Sequence, residues 1–120
     1  MKGEQYLTKG FQYSQVYDKG NTWTNRHLVL KVVANRLTVT RYGFAVSRRV
    51  GNAVIRNLVK RRLREILKFE SLKSGVDLVI IARPLSSHLT YRDLQSSVTM
   101  LLYKAGLIAG NNEGSGTQSY

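Results

Sequence analysis

Runs of apolar residues change period along this chain, and the changes mark its elements. Residues 8–19 (TKGFQYSQVYDK) place Phe11, Tyr13, Val16 and Tyr17 at roughly helical spacing, with Gly20 set to stop a helix and Gly10 a weak point inside it. Residues 28–34 (LVLKVVA) and 41–47 (RYGFAVS) are rich in β-branched and aromatic residues, and the second alternates Tyr42, Phe44 and Val46 against Gly43, Ala45 and Ser47. Both patterns predict strands, with residues 36–40 (RLTVT) starting or preceding the second. From Asn52, a suitable N-cap, Ile55, Val59, Leu63 and Ile66 recur on one helical face, so a helix should run to about Phe69. The nearly continuous apolar run at 76–82 (VDLVIIA) predicts a central strand covered on both faces. After the single proline, Pro84, the string Thr90-Tyr-Arg-Asp93 fits a capping box, and Leu94, Val98, Leu101 and Leu102 form the stripe of a last helix to about Ala105. Residues 109–120 are rich in Gly, Ser and Asn with little to bury, and are expected to form a mobile tail after a folded domain of residues 1–108. The order is an α+β sandwich in which helices pack on one sheet. Trp23 falls in a polar stretch (NTWTN) that reads as a loop.

The fourth element carries unusual chemistry. With Asn52 at zero and about 100° per residue, Arg56, Lys60 and Arg64 fall near about 40°, 80° and 120°, and Asn57, Arg61 and Lys68 near about 140°, 180° and 160°. The apolar set lies on the other side. One face can therefore bury against the sheet while the other presents cations, and Arg is apt there because its planar fork grips two phosphate oxygens. Arg62 falls toward the apolar side, where its stem can run along the core edge and its head reach out. Arg48 and Arg49 lie just upstream, so positions 48–68 hold eight of the nineteen Lys and Arg residues. A solvated helix face without a partner is the plain alternative. It fits poorly, because apart from Glu65 the segment lacks the acids that would make i, i+4 pairs.

Composition narrows the classes. Nineteen basic against seven acidic residues leave a formal charge of +12, which a polyanion would relieve; nucleic acid is the leading partner, while an anionic membrane surface is not expected because the basic helix needs its apolar residues for the core and no aromatic anchors flank it. No apolar run approaches the ~18 residues that span a bilayer, and the first ten residues have no signal-peptide core, which points to the cytoplasm. Without cysteine there is no disulfide framework, thiolate metal site or cysteine nucleophile. The seven acids are scattered, His27 and His88 have no third group to make a triad, and no phosphate-cradling GxxxxGK[ST] occurs, so no catalytic residue and no metal site is expected in this chain. Nor is a small-molecule substrate.

Residues 44–65, FAVSRRVGNAVIRNLVKRRLRE, resemble the signature of the protein subunit of bacterial ribonuclease P: a strand ending in Ser and two basic residues, then GNA, then an Arg-Asn-Arg helix continuing as Lys-Arg and a later Arg. Arg56, Asn57, Lys60, Arg61 and Arg64 match that pattern, while Leu58 stands where the family usually has Arg. The likeness extends to paired aromatics at Tyr13 and Tyr17, to Asn25-Arg26, to VIIAR ending at Arg83 and to HLTY at 88–91, and so covers the chain to about residue 107. The resemblance implies a ribonucleoprotein endonuclease that removes the 5′ leader of precursor tRNA, with catalysis and Mg2+ in the RNA. It implies a sheet of about four strands with about three helices, and a left-handed crossover through the basic helix, where the general rule gives a right-handed one in ~98% of cases. Arg48, Arg49, Asn52, Arg56, Asn57, Lys60, Arg61, Arg64 and Lys68 would face the catalytic RNA. Tyr13, Tyr17 and Lys31, the last where relatives often carry an aromatic, would line a cleft for the single-stranded leader, which leaves Phe11 and Val16 to face the core. The competing reading is a non-catalytic RNA-binding module of ribosomal-protein type, which the same charge and fold class would serve.

Overall fold

The computed structural model describes residues 6–108, so the proposed tail, 109–120, lies outside the described residues. Helix α1 (Gly10–Lys19) is followed by strands β1 (Asn21–Thr24), β2 (Leu28–Ala34) and β3 (Arg41–Val46). Helix α2 (Ala53–Lys68), strand β4 (Val76–Ala82), a short 3-10 turn (Pro84–His88) and helix α3 (Tyr91–Lys104) complete the order. The four strands form one mixed sheet in the order β1-β2-β4-β3, antiparallel except for the parallel pair β3 and β4.

Alternation along the strands assigns the two faces. Leu28, Leu30 and Val32 of β2, Leu78 and Ile80 of β4, and Tyr42 of β3 join Val59, Leu63, Ile66 and Leu67 of α2 and Leu94, Val98, Leu101 and Leu102 of α3 in the main core. Each fully buried Leu or Ile there contributes about 1.5–3 kcal/mol over an exposed position. Among the described residues the other face is covered by α1 and the segment before it, through a small cluster of Leu7, Val16 and Val79 edged by Tyr13, Val33, Ala45 and Ile81. β4 sits between β2 and β3 and is buried on both faces, which explains its unbroken apolar run.

The helix starts follow their chemistry. Asn52 Oδ1 accepts the Ile55 backbone N–H at 3.0 Å, and Thr90 Oγ1 accepts that of Asp93 at 3.1 Å. Gly20 ends α1 as expected, but in an extended conformation (φ −76). The need for glycine there is space, since a Cβ would meet the carbonyl oxygens of Val16 and Val32.

Three expectations change. NTWT is an edge strand, β1, because its backbone pairs with β2 at Asn21–Val32 through Thr24–Val29 and its one inward side chain, Trp23, packs on the main core. Gly10 opens α1 instead of weakening its middle, so the helix is shorter than residues 8–19. Phe11 does not face the core: it is 67% exposed, since Val16 and Tyr13 already fill the narrow strip between α1 and the sheet. Residues 36–40 precede β3 without pairing. Arg36 there is left-handed (φ 63) in a turn held by the Asn35 side chain, which accepts the Leu37 N–H at 2.7 Å.

Candidate nucleic-acid interface

α2 buries one side and exposes the other. Asn57, Arg61, Arg64 and Lys68 are exposed, whereas Arg56 and Lys60, nearer the buried stripe, are half-buried. Arg56 Nε donates to the Gly51 carbonyl at 3.2 Å and so braces the turn that launches the helix. The Asn52 side chain is committed to the N-cap, which gives it a structural role in the set expected to face RNA. Arg48 and Arg49 lie exposed in the turn between β3 and α2. Arg62, on the apolar side, reaches the Leu89 carbonyl at 3.2 Å and ties α2 to the segment before α3. Among the described residues Arg41–Asp77 is the one ion pair, at 2.7 Å, and no α2 cation takes part in one.

A second surface lies on the opposite face of the sheet. A ten-residue helix is only about 15 Å long, too short to cover four strands. Val29, Lys31, Val33, Ala45 and Ile81 are left half-buried beside it. Tyr13 lies across β3: a Cβ on Gly43 would stand 2.6 Å from Tyr13 Cζ, so only glycine lets the ring rest on the strand. The Tyr13 hydroxyl donates to the Leu7 carbonyl at a long 3.5 Å. Tyr17, one turn on, is 40% exposed, and partial burial, with Tyr13 nearby, raises its pKa. Lys31 Nζ donates to Thr22 Oγ1 across the β1–β2 pair at 2.9 Å, on the sheet face that α1 packs against. The structure thus brings Tyr13, Tyr17 and Lys31 to one face and the α2 set to the other.

Two positions that the sequence likeness noted without a site role, Arg26 and Arg83, also lie on these surfaces. Arg83 follows β4, and its guanidinium donates to the Asn25 carbonyl at 3.1 Å, beside exposed Arg26. Both stand at the sheet end where the parallel strands β3 and β4 finish, the end from which Arg48 and Arg49 leave. Residues beyond the carboxyl ends of parallel strands commonly form sites, and that rule was the available signal. Asn25 itself is structural: its Oδ1 accepts the N–H groups of His27 and Leu28, and its Nδ2 donates to Ser97 Oγ at 2.8 Å. Among the described residues no three His, Asp or Glu side chains gather into a possible metal site, and no helix is long and apolar enough to cross a membrane.

The comparisons with known proteins agree in kind. The family model described as Ribonuclease P matches residues 1–106. The chain is 41% identical over 107 residues to the ribonuclease P protein component of Clostridium botulinum (strain Langeland), covering 87% of this chain and 96% of that one. Among solved structures, the Staphylococcus aureus RNase P protein superposes with a TM-score of 0.82 at 31% identity, over 87% of this chain and 97% of the other. The Thermotoga maritima RNase P protein does so with a TM-score of 0.76 at 25% identity, over 82% and 96%. With the family model spanning nearly the whole chain and the fold shared, this chain belongs to the ribonuclease P protein component family.

Proposed function

We propose that this chain binds the catalytic RNA of ribonuclease P through the exposed side of α2 and holds the single-stranded 5′ leader of precursor tRNA in the cleft beside α1. The observation that carries this reading is the division of one sheet into two unlike surfaces. One is the exposed Arg and Lys row of α2, which among the described residues makes no ion pair and is suited to a phosphate backbone. The other is a shallow groove with an exposed tyrosine, a half-buried tyrosine and a lysine, suited to unstacked bases with a phosphate alongside. Arg26, Arg48, Arg49 and Arg83 are exposed at the shared sheet end and would add cations between them. The hydrolytic step and the Mg2+ it uses are assigned to the RNA, because the chain's acids are dispersed and its carboxylate Asp77 is occupied by Arg41 and Asn35. The chain acts in the cytoplasm on this reading, with precursor tRNA as the shared substrate.

The test is cleavage of a precursor tRNA at low Mg2+ by a bacterial ribonuclease P RNA, with and without the purified chain. The chain should raise cleavage by the RNA and leave the precursor intact when alone. Cleavage by RNA-free protein would overturn the assignment of catalysis. Failure to bind or stimulate the RNA would favour a binding module of another ribonucleoprotein.

A further inference from the structure

A pocket of about 970 Å3 opens beside the basic face of α2, away from the α1 cleft, and the family likeness gives it no role. Its walls are the last two turns of α2, residues 38–40 leading into β3, and residues 70–74 after α2. Tyr42 and Leu67, both buried, form its floor, and Tyr6 meets Tyr42 edge-to-face with ring centroids 5.0 Å apart. Arg61, Arg64 and Lys68 recur at i, i+3 and i+7 along one lip. Thr38 and Ser74 line the pocket from the other segments, and the carboxylates of Glu65 and Glu70 also border it.

We propose that this pocket receives one unstacked nucleotide of the bound RNA, its phosphate on the Arg61–Arg64–Lys68 lip and its base against the Tyr6–Tyr42 floor. The inference rests on the reading that α2 meets RNA and adds a discrete site to it. Three features favour a nucleotide over a simple anion. The volume is within the range of small-molecule sites and far exceeds a phosphate. The aromatic and aliphatic floor would gain nothing from an anion, whereas a base offers a π-face and apolar edge. The charge is also laid out with direction. The α2 lip carries three cations against one carboxylate, Glu65, and so holds the phosphate, while Glu70 on the segment after α2 disfavours a second negative group, so the neutral base goes in. The Glu65 carboxylate and the Thr38 and Ser74 hydroxyls there can accept the N–H donors of a base edge, whereas Glu70 already accepts the Thr99 hydroxyl at 3.1 Å. Duplex RNA could not use such a pocket, because its bases stay stacked, whereas loops and bulges release them.

Two measurements decide it. Backbone amide NMR of the full chain, titrated with guanosine 3′,5′-bisphosphate, should shift Thr40, Tyr42 and Ser74 saturably, while inorganic phosphate at equal charge should shift only residues of the α2 lip. The variant Ser74→Trp fills the mouth from an exposed position without changing any charge; Thr38→Trp does the same from the 38–40 wall if the first variant melts early. Either should bind a bacterial ribonuclease P RNA roughly tenfold more weakly with the same salt dependence, a loss of the size of one base contact. Equal response to phosphate and bisphosphate, or a filled pocket that leaves RNA affinity intact, overturns the proposal. A wild-type chain that fails to bind the RNA would instead overturn the functional reading on which it rests.

Discussion

The two faces of the sheet are built in opposite ways, and on the proposed reading each would hold RNA by a different means. On the α2 side, two helices cover the core and the cations project from the outer side of α2, so the charge is carried by a helix whose apolar stripe is buried. On the α1 side, one short helix leaves part of the sheet half-open, and the exposed strip is itself the surface. The first face stores its information in side-chain charge along one helix, the second in a shape made by α1, β2, β3 and β4 together. A phosphate backbone is recognised at long range and needs only cations in a row. Unstacked bases need a groove, which only packing can make.

That contrast can be broken most forcefully on the basic face. Replacing Arg61, Arg64 and Lys68 together by Ala removes three exposed cations without touching the buried stripe. The dependence of log affinity for catalytic RNA on log salt should flatten by about 2 to 3 units, with an unaltered melting temperature, if each neutralises one phosphate. An unchanged slope would mean that α2 is a solvated face.

The cleft should respond differently, and its two tyrosines should part company. Tyr17→Ala should weaken precursor tRNA binding by roughly 1 to 3 kcal/mol, leave mature tRNA affinity and thermal stability nearly unchanged, and be rescued by Phe. Tyr13→Ala, by contrast, empties space above Gly43 in the small cluster and should lower the melting temperature as well. If Tyr17→Ala melts early and weakens both RNAs alike, Tyr17 belongs to the packing and not to the cleft.

A smaller effect separates Asn52 from its neighbours. Because its side chain caps α2, Asn52→Ala should cost about 1 kcal/mol of stability by denaturant unfolding and leave the salt slope of RNA binding unchanged, while Asn52→Ser should restore most of the loss. A lowered slope would return Asn52 to the phosphate-binding set.

The smallest effect is a pH dependence. Burial, then the neighbouring Tyr6, raises the Tyr42 hydroxyl from 10.0 to about 12, with Arg64 pulling the other way. The folded state therefore favours neutral Tyr42. Its contribution to stability is complete below pH 10 and is lost as pH rises toward about 12. Tyr42→Phe should show a shallower fall in melting temperature across that window than the wild type; parallel curves would show that Tyr42 contributes nothing to the alkaline loss.

Periodicity and capping chemistry carried much of this molecule without any partner element. The i, i+4 stripe from Ile55 to Ile66, the Asn52 cap and the unbroken run at 76–82 each report a local rule, so α2 and β4 were legible with their bounds, and so was the charge that α2 displays. Membership of a family was legible too, in the residues from Phe44 to Glu65. What the tertiary structure alone decided are matters of partnership. NTWT has no strand pattern of its own and becomes β1 only because β2 offers an edge. Phe11 and Tyr13 lie about 200° apart around one helix, so only one can face the sheet, and packing chose Tyr13, whose ring rests over Gly43, and left Phe11 in solvent. The Tyr6–Tyr42 floor joins residues far apart in sequence beneath a lip supplied by a third element. Local spacing fixes which side of an element is apolar, but which apolar side finds a cover, and where a gap is left for a ligand, depends on the packing of elements distant in the chain.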